Sequence, residues 1–97
     1  MLIDTFTLEK ELNKRGLDEF KIFEEEDLSK LTLEREFEDF HTAMEFVNDL
    51  ADLAETTDHH PDVCIHFNKV SVELWTHSEN GVTELDLDFA EKINQLS

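Results

Sequence analysis

Asp39-Phe40-His41-Thr42-Ala43-Met44-Glu45-Phe46-Val47-Asn48-Asp49-Leu50-Ala51-Asp52-Leu53-Ala54 is the stretch from which the rest of the chain is read. Its apolar residues Ala43, Phe46, Val47, Leu50, Ala51 and Ala54 recur at the i, i+3, i+4, i+7 spacing of one helical face. Asp39 stands just ahead of them, where a carboxylate can accept from the first free N–H groups of the helix. A helix with a single apolar stripe needs a surface to cover, and burying Phe46, Val47 and Leu50 against a sheet stabilises by roughly 1.5–3 kcal/mol for each side chain.

The segments on either side supply that surface, because their periodicity changes from 3.6 to 2. Phe20 and Ile22, then Leu31, Leu33 and Phe37, alternate with polar residues and predict a hairpin of strands over 20–25 and 31–37, joined by Glu26-Asp27-Leu28-Ser29-Lys30. After the helix, Val63, Ile65 and Phe67, then Val70, Val72 and Leu74, predict a second pair of strands with Asn68-Lys69 near the turn. In this register Trp75 and His77 share the face opposite the aliphatic row. A first helix over residues 5–15 is expected, capped by Thr5 or Thr7, carrying Leu8 and Leu12 and stopped by Gly16. After Gly81, Thr83 and Asp86 have the spacing of a capping box, and Leu85, Phe89, Ile93 and Leu96 mark the buried stripe of a last helix. The order α-β-β-α-β-β-α describes one α+β domain over residues 1–97, a four-stranded antiparallel sheet with helices packed on one face. Its open face or a strand edge is free to pair with another copy.

Composition narrows the function. The 97 residues include only 2 Gly and 1 Pro, so linkers are absent, and 39% hydrophobic residues with 8 Phe build a small core. With 8 Lys and Arg against 25 Asp and Glu, the net charge of -17 repels phosphate backbones and anionic membranes, which argues against direct nucleic-acid binding or a membrane role. No long apolar run and no leader pattern is present, so a cytoplasmic location is expected. The one cysteine, Cys64, beside His66, reads as a buried strand residue and not as a nucleophile.

Chemistry concentrates in Glu55-Thr56-Thr57-Asp58-His59-His60-Pro61-Asp62 and in the distant Thr76-His77-Ser78-Glu79-Asn80-Gly81-Val82-Thr83, which together hold three of the five histidines. The polar run Glu55 to Asp58 is expected to carry the chain off the helix, and Pro61 disfavours a helical backbone at His60. Imidazoles that titrate near neutral pH can donate and accept protons, and carboxylates beside them set which does which. Consecutive His59 and His60 point in different directions, so one of them is expected to meet His77 while the other orients a ligand. A metal site is the competing reading. The spacing lacks the usual i, i+2 or i, i+4 pair and no further cluster completes four ligands, so no metal is expected. Phosphate-loop and nucleophile-elbow motifs are absent.

Glu55-x-x-x-His59-His60-Pro61, Asn68-Lys69-Val70, Leu74-Trp75-Thr76-His77, Gly81-Val82-Thr83, Asp86 and Ala90 resemble the signature of the pterin-4a-carbinolamine dehydratases. The likeness extends upstream through Phe37-Glu38-Asp39-Phe40, Ala43, Phe46-Val47 and Ala54-Glu55, so it covers residues 31–94. The resemblance implies an antiparallel four-stranded sheet with helices on one side and dehydration of a 4a-hydroxytetrahydropterin to the quinonoid dihydropterin. That reaction recycles the cofactor of aromatic amino-acid hydroxylases and itself uses no cofactor or metal. By resemblance His59 and His77 carry the proton transfers, Asp86 supports them, His60 holds the pterin, and Glu55 and Asp58 border the site. Phe20 aligns with an aromatic residue lining the pterin pocket, and Trp75 offers a second aromatic surface. The resemblance also implies a homodimer or homotetramer. Departures stand at Val63, where the family commonly has Trp, at Phe67, where it has Tyr, and at Leu85, where a basic residue is frequent. They keep open a second function class, a catalytically idle relative that serves as an oligomeric binding or assembly module.

Overall fold

The stripe on the central helix finds its sheet. The computed structural model describes residues 1–96, with α1 (Thr5–Lys14), β1 (Lys21–Glu25), β2 (Leu28–Glu36), α2 (Phe40–Thr57), β3 (Asp62–His66), β4 (Lys69–Leu74), a short 3-10 turn (His77–Glu79) and α3 (Glu84–Gln95). The strands form one antiparallel sheet in the order β1-β2-β4-β3, so both hairpins meet where β2 runs beside β4. Leu31 and Leu33 of β2 and Val70, Val72 and Leu74 of β4 make the buried face. Leu8 and Leu12 of α1, Ala43, Phe46, Leu50 and Ala54 of α2, and Leu87, Phe89, Ala90 and Ile93 of α3 complete that core. The expected α+β architecture is the observed one. Among the described residues, no helix is long and apolar enough to cross a membrane.

Local details depart from the sequence pattern for identifiable reasons. Asp4, not Thr5 or Thr7, caps α1, because its extended backbone brings the carboxylate 2.8 Å from the Thr7 N–H and leaves both threonines inside the helix. The first hairpin is tighter than expected. Glu25 pairs with Leu28, and Glu26 takes a left-handed φ of 51°, so Glu26-Asp27 alone make the turn and Leu28, Ser29 and Lys30 join β2. The second hairpin does the same with Phe67 at φ 54°, which removes Phe67 from the alternation and leaves it exposed. Cys64 is exposed and not buried, because it pairs with Ser71 on the open face of the sheet. In α2 the helix continues through the polar run to Thr57, and the Thr56 and Thr57 hydroxyls, which would otherwise compete for backbone groups, bond back to the carbonyls of Asp52 and Leu53.

The buried stripe of α3 also shifts. Leu85 is 55% exposed, whereas Leu87 is fully buried. Capping turns Asp86 inward, and with Asp86, Phe89, Ala90 and Ile93 on the inner face Leu85 falls outside it. Arg15, at the end of α1, bonds to Glu11 of its own helix and to Glu84, Asp88 and Glu91 of α3. These carboxylates, Glu84 first, hold the guanidinium further above its ordinary range.

Candidate functional site

The site starts from the capping of α3. Thr83 accepts from the Leu85 N–H at its hydroxyl, and Asp86 reaches back so that Oδ2 accepts the Thr83 N–H at 2.9 Å. A cap of this kind normally sits in water; here Asp86 is fully buried. Its other partners explain how burial is tolerated. Thr76 donates its hydroxyl to Oδ2 at 2.9 Å, and His59 Nε2 lies 2.6 Å from Oδ1. Since Thr76 donates to the carboxylate, the 2.8 Å contact between the Thr76 and Thr83 hydroxyls is donated by Thr83, and every oxygen of the network is satisfied.

His59 is delivered to Asp86 by the end of α2. Asp58 turns the chain in the left-handed region at φ 54°, and the N–H groups of Asp58 and His59 both close on the Ala54 carbonyl. The imidazole stands edge-on to Phe89, 6.0 Å between centroids, and its side chain is 14% exposed. With Nε2–H donated to the buried carboxylate, Nδ1 is left to take up or release a proton. His59 lines a hollow of about 340 Å³ with Thr56, Thr57, Leu85, Phe89 and Lys92. His60 turns away, as neighbours on an extended segment do, and its Nε2 lies 2.8 Å from Glu55. It lines a smaller hollow of about 190 Å³, walled by Val47, Ala51, Ala54, Pro61 and Val63.

His77 follows Thr76 directly, so the residue that bonds Asp86 also starts the turn carrying the third imidazole. Its ring packs against Trp75 at 4.0 Å between centroids, and its Nε2 lies 3.9 Å from Asp62 Oδ2, which accepts the indole N–H at 2.9 Å. Thr76 bridges to Gly81, and Val82 donates its N–H to Ser29 Oγ. A Cβ at Gly81 would come within 2.7 Å of Leu2 and of Ser29 Oγ, so glycine there lets the turn lie flat on the β1–β2 hairpin. His59 and Asp86 are thus in contact, His60 and Glu55 form a second pair, and Trp75 and His77 a third group. Asp58 is exposed at the helix end. Phe20 is elsewhere: it is buried in the core and lines a separate hollow with Leu12, Leu17 and Ile22. Among the described residues, no three His, Cys, Asp or Glu side chains converge as a metal-binding group.

Sequence reasoning singled out the histidines and the carboxylates near them, Glu55, Asp58, Asp62 and Asp86, but missed Thr76 and Thr83 as partners and did not assign Asp62 to His77. The signal for Thr83 was present in the capping pattern; that for Thr76 and for the meeting of Asp62 with His77 depends on strand ends meeting in space.

The sequence matches the family described as Pterin 4 alpha carbinolamine dehydratase over residues 4–96. A protein of Sulfolobus acidocaldarius that carries this family's name is 43% identical over 83 residues, covering 86% of this chain and 90% of its own length. Another from Nostoc punctiforme is 48% identical over 68 residues, covering 70% of this chain and 73% of its own. The crystal structure of a transcriptional coactivator/pterin dehydratase from Brucella melitensis superposes with a TM-score of 0.86 at 38% identity, over 98% of this chain and 97% of that one. A pterin dehydratase-like protein identified as a RuBisCO assembly factor in the alpha-carboxysome shares the fold, with a TM-score of 0.67 at 20% identity over 79% of this chain and 87% of that one.

Proposed function

The chain belongs to the pterin 4 alpha carbinolamine dehydratase family, and on that premise we propose that it dehydrates a 4a-hydroxytetrahydropterin to the quinonoid dihydropterin by histidine acid–base chemistry. In that reaction the C–O bond at the carbinolamine carbon breaks, the hydroxyl leaves as water with a delivered proton, and the adjacent ring N–H gives up its proton as a C=N bond forms. Two proton transfers need two positioned groups, and His59 and His77 fill those roles in this reading. The observation that carries it is the buried Asp86 carboxylate, bonded at once to His59 and to Thr76, the residue before His77. Asp86 Oδ2 completes the capping box of α3, and its other oxygen is turned to an imidazole instead of to a further backbone donor. Asp86 orients His59 so that Nδ1 faces the proton to be moved, while His60, backed by Glu55, holds the pterin. Trp75 supplies an apolar surface beside His77.

The test is dehydration of freshly generated 4a-hydroxytetrahydropterin by the purified chain. Turnover well above the protein-free rate is expected; a rate equal to the blank would overturn the reading. A second reading, an oligomeric binding or assembly module, is favoured by one feature. Val63 and Ile65, on the helix side of the outermost strand β3, stay 38% and 37% exposed and offer an apolar edge to another copy. An oligomer that lacks dehydratase activity would support that reading over the first.

A further inference from the structure

We propose that Asp62 is a positioning residue for His77: it holds Nε2–H of the imidazole toward its own carboxylate and makes Nδ1 the atom at which the proton moves. The inference rests on the dehydratase reading and adds a residue to it. His77 needs such help more than His59 does. Its side chain is 58% exposed and sits in a three-residue turn, so no helix or core contact fixes its rotamer. What surrounds it is a small assembly on the open face of the sheet. Asp62 is the first residue of the edge strand β3 and pairs with Glu73 of β4, which puts its side chain on the face away from the helices. From there Oδ2 accepts the Trp75 indole N–H at 2.9 Å and lies 3.9 Å from His77 Nε2.

Trp75 is held on its other flank as well. Lys30 Nζ lies 5.1 Å from the indole centroid and bonds Glu73 at 3.0 Å. The indole is therefore gripped by a cation and a carboxylate, and His77 packs on the ring so held, 4.0 Å between centroids. One oxygen thus fixes both the aromatic wall and the charge that faces the imidazole. A carboxylate opposite Nε2 favours the tautomer with its hydrogen on that atom, which leaves the Nδ1 lone pair for the substrate proton. Once that proton arrives, the same carboxylate faces an imidazolium. His59 and His60 also turn Nε2 to a carboxylate, at 2.6 and 2.8 Å, whereas the Asp62 contact, at 3.9 Å, is a looser charge contact and not a closed hydrogen bond.

The experiment compares wild type with Asp62→Asn, Asp62→Glu and Trp75→Phe, each checked for native circular dichroism. Asp62 is half exposed on an edge strand, so these variants are expected to fold; Trp75→Phe keeps a ring on His77 while removing the indole N–H, and gives an independent route to the same contact. Nitrogen-15 NMR of the His77 side chain reads the tautomer without reference to activity, at a pH where the ring is neutral. Emission of Trp75, the single tryptophan of the chain, reads the edge-on contact with His77. The expected result is Nε2–H in wild type, a tautomer mixture and altered emission in Asp62→Asn, and a fall in kcat of about tenfold to a hundredfold with KM little changed. Asp62→Glu should recover most of kcat. An unchanged tautomer in Asp62→Asn overturns the proposal, and so does a changed tautomer with unchanged kcat. If wild type proves inactive, the dehydratase reading falls, and the tautomer and emission measurements still decide whether Asp62 holds His77.

Discussion

Asp86 is a carboxylate shut away from solvent that accepts from a backbone N–H, a hydroxyl and an imidazole. Removing one acceptor oxygen should leave a buried donor without a partner. Asp86→Asn keeps the shape but turns an amide NH2 toward groups that also donate, so it should lower stability by roughly 1–3 kcal/mol in urea unfolding. It should slow dehydration as well, because Nε2 of His59 loses the contact that sets its tautomer. A variant with wild-type stability and rate would remove the Asp86 network from the account. The His60–Glu55 pair is exposed on both sides, so its loss should cost the stability of the fold little.

At the scale of elements, the packing of α3 and the caps of α1 and α2 give separate tests. Leu87→Ala should destabilise by about 2–5 kcal/mol, as expected for emptying a fully buried leucine site, while Leu85→Ala should change stability by no more than about 0.5 kcal/mol. Equal effects in denaturant titrations would mean that α3 is packed on the other face. The Thr42 N–H holds the Asp39 carboxyl below the ordinary carboxylate range, and the Thr7 N–H does the same for Asp4. A lowered folded value means that the stabilisation is present at neutral pH and is lost as pH falls through that value. Asp39→Ala should therefore lower the melting temperature at pH 7, with the gap closing below about pH 4; a gap that persists in acid would contradict the cap. These elements also divide what the sequence could and could not reveal. The i, i+3, i+4, i+7 spacing through Ala43 and Ala54 and the alternation around Leu31 and Val72 were legible because periodicity alone fixes which face is covered. The two turns were placed near their positions but not at their two-residue lengths, since Glu26 and Phe67 each put a residue other than glycine in the left-handed region, against intrinsic preference. Leu85 misled for a related reason: apolar spacing fitted it to the stripe, but the inward turn of Asp86 decides the face. The histidines and the carboxylates near them were visible from their clustering, whereas Thr76 as a partner, and His77 as the imidazole that Asp62 faces, emerged only when β3, β4 and α3 converged.

The whole molecule carries a net charge of -17 on 97 residues, and Arg15 alone gathers four carboxylates. Self-repulsion of this size should make the melting temperature rise with salt as the screening length shrinks from about 10 Å at 0.1 M to about 3 Å at 1 M. A flat profile would show that the local pairs already neutralise the effect. The same field discourages anionic partners and leaves a neutral pterin unopposed, which fits a site built from imidazoles backed by carboxylates. The central claim is that His59 and His77 divide two proton transfers across the Asp86–Thr76 link. It is tested most directly by steady-state dehydration kinetics on wild type, His59→Ala, His77→Ala and the double variant, each with native circular dichroism. Each single change should cost about 10²–10⁴-fold in turnover, and the double change little more than the worse single one, because groups that act as a unit are not additive. Near-wild-type turnover in either folded single variant would contradict the account.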